Sequence, residues 1–334
     1  MGDLLSIIIV NYKTPGLLSA CLRTLYDQPH TLPYEVIVVD NDSRDDSESV
    51  IKTGFPQARW IQMGYNSGFA RANNEGIRRS NGDTVLLLNS DTLNTDNAVD
   101  RCFRSFIQSP YTACGVQLLN ADLSPQISGN YFMKGGLNNL LPLPYTGAFI
   151  KWLGGVAKVK KPHVENSDAE VMVDWINGAF LMVKKTAIAQ AGYMDEDFFL
   201  YAEEAEWCAR LGKTGKMVIY GQYKIIHLQG ETSNATFNSS GKGYYNLYDK
   251  KGFQIMLSNF VRLRKQSGTG WFLFQLLVYT LTVPVYCTGD LFRIISGRKP
   301  TGNASVAKFS GNVMRLWQFS PIIIRNKPFF YKVL

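Results

Sequence analysis

Apolar and polar positions along the first 120 residues alternate in blocks of two lengths. Short apolar runs rich in β-branched residues occur at Leu5–Tyr12, Tyr34–Asp40, Ala58–Gln62, Thr84–Leu88 and Thr112–Leu118. Longer stretches of helical pattern separate them: Pro15–Gln28, a segment from Ser43 through Ile51, Gly68–Ser80 and Thr95–Ser109. Runs apolar on both faces suit buried strands, and strand–helix alternation at this spacing predicts a mainly parallel sheet with helices on both faces. The punctuation agrees. Pro15-Gly16 opens the first helix, Ser43 is placed to cap the second, and Asn81-Gly82 ends the third.

From Asn120 to Glu170 the pattern dissolves into Gly, Pro and mixed residues, with Leu137–Trp152 apolar but aperiodic, which reads as an insertion or lid. Regular structure resumes with a strand at Val171–Asp174, helices at Lys184–Ala191 and Glu203–Leu211, and strands at Lys216–Tyr220 and Tyr223–His227. The Gly/Ser/Asn-rich segment Gln229–Lys242 reads as a mobile loop. Two long helices, about Tyr244–Gln266 and Trp271–Ser296, then lead into an irregular tail. The predicted organisation is a domain over residues 1–243, with halves at about 1–118 and 171–243 around an insertion at about 120–170. A basic helical tail spans 244–334.

Composition narrows the class. The chain is 46% hydrophobic and 13% aromatic, which supplies a sizeable core and excludes disorder. Five scattered cysteines without Cys-x-x-Cys spacing predict neither a disulfide framework nor a zinc site, and suit a reducing cytosol. The start shows no charged region followed by a cleavage site, so no secretory leader is expected. The net charge of +8 is unevenly spread: eleven Lys/Arg and one acid lie from Gln254 onward, leaving 24 basic and 26 acidic residues before it. Basic residues flanking an apolar stretch point to an anionic membrane surface rather than to nucleic acid.

In open α/β sheets ligands gather at the carboxyl ends of the strands, where strand order reverses. Three predicted strand ends carry polar clusters: Asn11-Tyr12, Asp40-Asn41-Asp42-Ser43 and Asn89-Ser90-Asp91. No Gly-x-Gly-x-x-Gly follows the first strand and no Gly-Lys-Ser/Thr loop occurs, so nicotinamide and P-loop chemistry are not expected. What remains is an α/β nucleotide fold that holds phosphates without a glycine cradle.

The motifs Ser6–Tyr12 (SIIIVNY), Val36–Ser43 (VIVVDNDS), Asn66–Gly76 (NSGFARANNEG), Leu86–Asp91 (LLLNSD), Asp174–Phe180 and Phe198–Cys208 (FFLYAEEAEWC), with His227, resemble the family 2 glycosyltransferases, above all the rhamnosyltransferase-like members of bacterial polysaccharide assembly. The resemblance runs collinearly over about residues 4–230. It implies the glycosyltransferase A fold, a Rossmann-like mixed and mainly parallel sheet, and inverting transfer from a UDP- or dTDP-sugar. Departure of a nucleoside diphosphate calls for a divalent cation or fixed donors, and Mg2+ or Mn2+ takes oxygen ligands. The family's Asp-x-Asp stands here as Asn89-Ser90-Asp91, so the resemblance puts the metal on Asp91, completed by His227. Asp40 matches the acid that receives the pyrimidine base. Asn11, Asn66, Gly68, Asn73 and Asn89 match donor-side positions, although capping by Asn66 and close packing at Gly68 account for those two equally simply. In the block Glu203-Glu204-x-Glu206, Glu203 and Glu206 share a helix face, and the family's general base maps to Glu204, its proton affinity raised by neighbouring carboxylates. Trp175, Asn177, Gly178 and Glu203 map to the acceptor side; a core role for Trp175 fits as well.

Gln266–Gly289 is an uncharged 24-residue stretch, long enough to span a bilayer. Gln275, Thr280, Thr282, Pro284 and Thr288 dilute it, and eight Lys/Arg lie beyond Asp290 on the far side of any single span. An interfacial or re-entrant anchor is expected, seating the protein peripherally or monotopically on the cytoplasmic face of the plasma membrane. The expected activity is transfer of rhamnose or another hexose to a lipid-linked or cell-surface glycan. The rival is a non-catalytic, membrane-bound scaffold of the same fold.

Overall fold

The structure, a computed structural model, describes residues 3–158, 163–164, 166–228, 237, 239, 245–299 and 303–333. The chain divides into two compact units, one formed by Met1–Tyr131, His163–Phe199 and Glu203–Thr232, the other by Phe132–Pro162, Leu200–Ala202 and Ser233–Leu334. In chain order the first strands are β1 (Leu5–Asn11), β2 (Tyr34–Asp40), β3 (Arg59–Gln62), β4 (Thr84–Asn89), β5 (Thr92–Asn94) and β6 (Ala113–Leu119). They are followed by β7 (Gly129–Asn130), β8 (His163–Val164), β9 (Glu170–Val173), β10 (Trp175–Ile176), β11 (Phe180–Lys184) and β12 (Met217–His227). The helices of the first unit are α1 (Pro15–Tyr26), α2 (Ser47–Gly54), α3 (Gly68–Arg79), α4 (Ala98–Ile107), α6 (Lys185–Ala191) and α7 (Glu203–Leu211), with α5 (Thr146–Val156) in the second.

The main sheet has nine strands in the order β3-β2-β1-β4-β11-β6-β12-β5, with β9 beside β12. β3, β2, β1 and β4 run parallel, β11 is antiparallel to both β4 and β6, and β12 is parallel to β6. The mixed, mainly parallel α/β sheet is the one that the family resemblance implied, and the strand–helix alternation had pointed to its parallel part. Side chains alternate across it as the period of two requires. Ile7, Ile9, Val36, Val38, Leu86 and Leu88 pack with Leu18, Leu22, Phe103 and Phe106 of α1 and α4. Ile8, Ile37, Val39, Val85 and Leu87 pack with Ala70, Ile77, Ile188 and Trp207 of α3, α6 and α7 on the opposite face. Both strand faces are buried, and that is why the strands read as unbroken apolar runs. The chain passes from β1 outward to β2 and β3, then returns to place β4 on the other side of β1, so strand order reverses at the β1/β4 ends.

The main sheet and the helices beside it depart from the sequence expectations at four places. β11 is a central strand that the pattern did not mark: α6 begins at Lys185 directly after it, leaving no turn to separate the two periods. β5 is a three-residue edge strand, too short for any periodicity. The two expected late strands are one, β12, with a bulge between Tyr220 and Lys224. Ser43 does not cap α2; that helix starts at Ser47, and the Ser43 hydroxyl is held by Asp40 instead.

In the second unit, α8 (Lys250–Ile295) breaks at Gly268, whose φ of 85° is not helical, so the two expected long helices are present as one interrupted rod. The expected irregular tail is instead helical, α9 (Asn303–Arg325), with Phe309 set against Tyr279 and Tyr286 of α8. The segment 229–242, read as a mobile loop, lies outside the described residues apart from Phe237 and Ser239. The aperiodic stretch 132–146 forms a 3-10 turn over Lys134–Leu140 and lines one face of α8. Gln275 donates to the carbonyls of Gly135 (2.6 Å) and Gly136 (2.9 Å), which are turned toward it by positive φ angles of 60° and 62°. Along the same face Tyr279 donates to the Asn139 carbonyl (2.8 Å), Thr282 meets Thr146 (3.0 Å) and Asp290 accepts from Tyr145 (2.8 Å). The polar residues that dilute the apolar stretch are thus a seam that holds another part of the chain.

Gln275→Leu should therefore destabilise the protein by about 2–3 kcal/mol although it raises the hydropathy of α8, because two buried carbonyls lose their donor. Urea unfolding followed by circular dichroism measures this. An unchanged midpoint would mean that α8 needs only to be apolar.

Candidate active site

The polar ends of β1, β2 and β4 are joined into one buried lattice. Asp40, 2% exposed, accepts at Oδ1 from Asn11 Nδ2 (2.7 Å) and Ser43 Oγ (2.5 Å), and at Oδ2 from the Ser43 amide (2.9 Å) and Gln62 Nε2 (2.9 Å). Its four acceptor positions are filled. Asn11 Oδ1 accepts from Thr14, whose hydroxyl lies 3.3 Å from that of Ser90. Asn41, beside Asp40, receives the amide and hydroxyl of Ser67 (both 2.7 Å) and donates toward Asn66 (3.2 Å) and the Gly68 carbonyl (3.3 Å), which ties the end of β2 to the start of α3. Lys13, Asp42 and Arg44 all have φ between 55° and 65°, a conformation that non-glycine residues hold only when their surroundings fix it.

At the end of β4, the sequence motif and the topology converge. β5 pairs antiparallel with the end of β12, setting His227 opposite Thr92, and the Leu228 amide donates to the Asp91 carbonyl (2.9 Å). Asp91 Oδ1 and His227 Nε2 are 3.4 Å apart, with Asn89 Nδ2 also 3.4 Å from Nε2, and both Asp91 and His227 are nearly buried. The other ring nitrogen, Nδ1, lies 3.0 Å from Gln126 Oε1. Gln126 cannot turn its amide around: Nε2 donates to the His227 carbonyl (2.6 Å), Asn120 Oδ1 (2.8 Å) and the Leu119 carbonyl (3.2 Å). Its oxygen therefore faces Nδ1, which donates to it, and the ring is oriented with Nε2 toward Asp91.

That donor set, one carboxylate oxygen and one imidazole nitrogen oriented by an amide, fits a small divalent cation, whose bonds to oxygen are about 2.1 Å long. Among the described residues no group of three or more His, Cys, Asp or Glu is placed to hold an ion. Asp91 and His227 could supply two ligands to such an ion, with further positions open to other oxygens. Cys21 lies 3.6 Å from Thr92 Oγ1, but burial pushes its thiol up to about 12, so it is no thiolate.

The remaining predicted residues divide by what their side chains touch. Gly68 has a φ of 77°, and a Cβ there would meet the Phe199 carbonyl oxygen at 2.3 Å, so close packing accounts for this glycine. Asn73 bonds back to the Phe69 carbonyl (3.0 Å) inside its own helix. Its neighbour Asn74 clasps Met194 through both backbone groups (2.9 and 3.0 Å) and Glu196 (3.0 Å), anchoring the turn that precedes the acidic block. Asn177 closes a turn onto Ala179 (3.0 Å) and donates to the Ile127 carbonyl (3.2 Å). Trp175 keeps a buried indole N–H that has no hydrogen-bond partner among the described residues.

The acidic block sorts by exposure as its helical spacing predicts. Glu206 is taken by Arg210 in a two-pronged pair (2.8 and 2.7 Å). Glu203 is buried, with Oε2 unpartnered; burial first, then the charge of Glu204, hold its carboxyl well above the usual carboxylate range. Glu204 is partly exposed and sits against Gly178, where a Cβ would lie 3.5 Å from Glu204 Cγ. The chain enters this block through Tyr201 and Ala202, both at positive φ (71° and 67°). Gln126, Asn41 and Ser43 complete the constellation. Gln126 lies in the patternless stretch after β6 and carried no sequence signal, whereas Asn41 and Ser43 stood inside the quoted strand-end cluster.

A glutamate whose folded proton affinity is raised stabilises the fold fully below its unfolded pKa, and that contribution is lost as pH rises toward the folded value. Glu203→Gln should therefore flatten the fall in stability from about pH 4.5 upward, leaving the variant at least as stable as wild type at neutral pH. Denaturant midpoints measured across pH test this, and an unchanged slope would mean that Glu203 is ionised in the folded protein.

Comparison with known proteins bears on this site as a whole. Residues 6–146 match the family described as Glycosyl transferase family 2. The N-acetylglucosaminyl-diphospho-decaprenol L-rhamnosyltransferase of Mycobacterium tuberculosis is 25% identical over 235 residues, covering 66% of this chain and 74% of that protein. The low-salt glycan biosynthesis hexosyltransferase of Haloferax volcanii is 31% identical over 236 residues, 68% of this chain and 66% of the relative. A mannosyltransferase from Pyrobaculum calidifontis, solved in complex with GDP-Man and Mn2+, superposes with a TM-score of 0.51 at 11% identity, over 96% of this chain and 89% of that one. The fold, the collinear motifs and these relatives agree: the chain belongs to glycosyl transferase family 2 and is a glycosyltransferase.

Proposed function

We propose that this chain catalyses inverting, divalent-cation-dependent transfer of rhamnose or another hexose from a UDP- or dTDP-sugar to a lipid-linked glycan acceptor, at the cytoplasmic face of a bacterial plasma membrane. The observation that carries the reading is the pairing of Asp91 with a His227 ring whose Nε2 is held toward it. The name of the mycobacterial relative, a rhamnosyltransferase acting on a diphospho-decaprenol saccharide, supports the sugar and the lipid-linked acceptor. Polysaccharide biosynthesis of the cell envelope is the corresponding process.

In this reading Asp91 and His227 hold Mg2+ or Mn2+, which when bound offsets the charge that grows on the departing diphosphate. Asn89 adds a neutral donor beside them. Asp40 receives the N3–H of the pyrimidine; of the three residues that bond it, Gln62 is the exposed one and gives way most readily. Asn11, Asn41, Ser43 and Asn66 keep the loops around it fixed, so little ordering remains to be done when the donor binds. Glu204 takes the proton of the acceptor hydroxyl as that oxygen attacks the anomeric carbon. Gly178 leaves the space beside its carboxylate open. Glu203, holding its own proton, places no second charge next to the base. Trp175, half-buried, offers a ring face to an acceptor sugar.

Glu204→Gln should lower kcat by about 10²- to 10⁴-fold while leaving donor affinity within about twofold, because only the proton acceptor is removed. Steady-state kinetics with calorimetric donor titration test it. Retained turnover would assign the proton transfer elsewhere, and lost donor binding would make Glu204 part of the donor pocket.

A further inference from the structure

The second unit carries a charge and surface pattern that catalysis does not use. Phe132–Pro162, Leu200–Ala202 and Ser233–Leu334 contain 19 Lys/Arg and two acids, a net +17, so the remainder of the chain, with 16 basic and 25 acidic residues, is −9. Those two acids are engaged: Asp249 caps α8 through the Gly252 amide, and Asp290 accepts from Tyr145. Against this basic background, α5 leaves Phe149, Trp152, Leu153 and Val156 exposed, between 45% and 67% of each. They stand at i, i+3, i+4 and i+7, which is one helix face. Only one of the eleven α5 residues, Lys151, is charged. After its break, α8 exposes a second stripe, Leu273, Leu277, Leu281, Leu291 and Ile295, away from the polar seam that holds residues 135–146. Single exposed apolar residues are ordinary; two helical stripes tied to each other through Tyr145–Asp290 and Thr146–Thr282 are not.

We propose that α5 and the outer stripe of α8 together form a monotopic seat on an anionic lipid bilayer, with α5 of the mid-chain insertion entering the lipid interface alongside the C-terminal helix. The inference rests on the membrane-surface part of the proposed function and names a second element that performs it. Charge selects the occupant: Lys158 follows the α5 stripe, and Arg293, Arg298 and Lys299 flank the end of the α8 stripe, so phosphate headgroups meet basic side chains where acyl chains meet apolar ones. The seam argues against a lone transmembrane span, since α8 cannot shed residues 135–146 without baring Gln275, Thr282 and Asp290 to lipid.

The test uses the full chain in co-sedimentation with phosphatidylcholine vesicles with and without phosphatidylglycerol. Wild type should bind the anionic vesicles and not the neutral ones. The double variant Phe149→Ser/Trp152→Ser should lose about tenfold to a hundredfold in vesicle affinity while keeping its circular dichroism spectrum. Leu123→Ser, at an equally exposed leucine of the other unit, should bind as wild type. Undiminished binding by the double variant overturns the role of α5 while leaving the membrane reading intact, and failure of wild type to bind overturns both. If the same variants instead convert a lipid-free dimer to monomer in sedimentation velocity, a second copy covers the face and the proposal is wrong.

Discussion

Three residues of edge strand, Thr92–Asn94, set the geometry of the whole candidate site. By pairing with the end of β12 they bring His227, 136 positions later in the chain than Asp91, to 3.4 Å from it. An acid at the end of an apolar strand is ordinary, and so is a histidine at the end of another. Brought together, with Gln126 orienting the ring, they set a carboxylate oxygen and an imidazole nitrogen side by side, the donor pair proposed to hold a cation. The rest of the sheet serves this placement. Continuous apolar strands make the β4 end rigid, and the reversal of strand order between β1 and β4 leaves room beside it.

The lattice around Asp40 shows how such a site can be rigid before any ligand arrives. Loop backbones at positive φ, at Lys13, Asp42 and Arg44, would relax if left alone; Asn11, Ser43 and Asn41 hold them by hydrogen bonds buried from water. The acidic block divides in a similar way. Glu206 is paired to Arg210, burial and the charge of Glu204 hold the Glu203 carboxyl well above the usual range, and Glu204 is partly exposed.

Strong, long-range periodicity was legible in the sequence, and short or tertiary features were not. Strands β1, β2 and β4 follow from their apolar runs to within a residue, because both faces are buried and nothing competes with that signal. β11 escaped because α6 follows it without a turn, and β5 because three residues carry no period. Helix α9 escaped because its apolar residues are interrupted by Gly311 and Pro321 and read as irregular. Asp91, His227 and Glu204 could be named from the order of motifs along the chain. Gln126 could not, since its importance lies in three carbonyls and a ring that meet it only in the fold. Gly68 and Asn73, named beside them, are engaged in packing and in a bond within α3. The sequence placed the basic charge in the C-terminal quarter; the fold adds the lysines of the 132–162 insertion to it, and so doubles its excess over the rest of the chain.

The central proposal is that Asp91 and His227, the ring oriented by Gln126 with Nε2 toward Asp91, together hold a divalent cation. With only three histidines in the chain, long-range nitrogen–proton NMR on selectively labelled protein can follow the His227 ring nitrogens directly. The account predicts that Mg2+ added with UDP shifts the Nε2 resonance while Nδ1 carries the proton, and that the shift is absent in Asp91→Asn. An Nε2 resonance indifferent to the cation would contradict it.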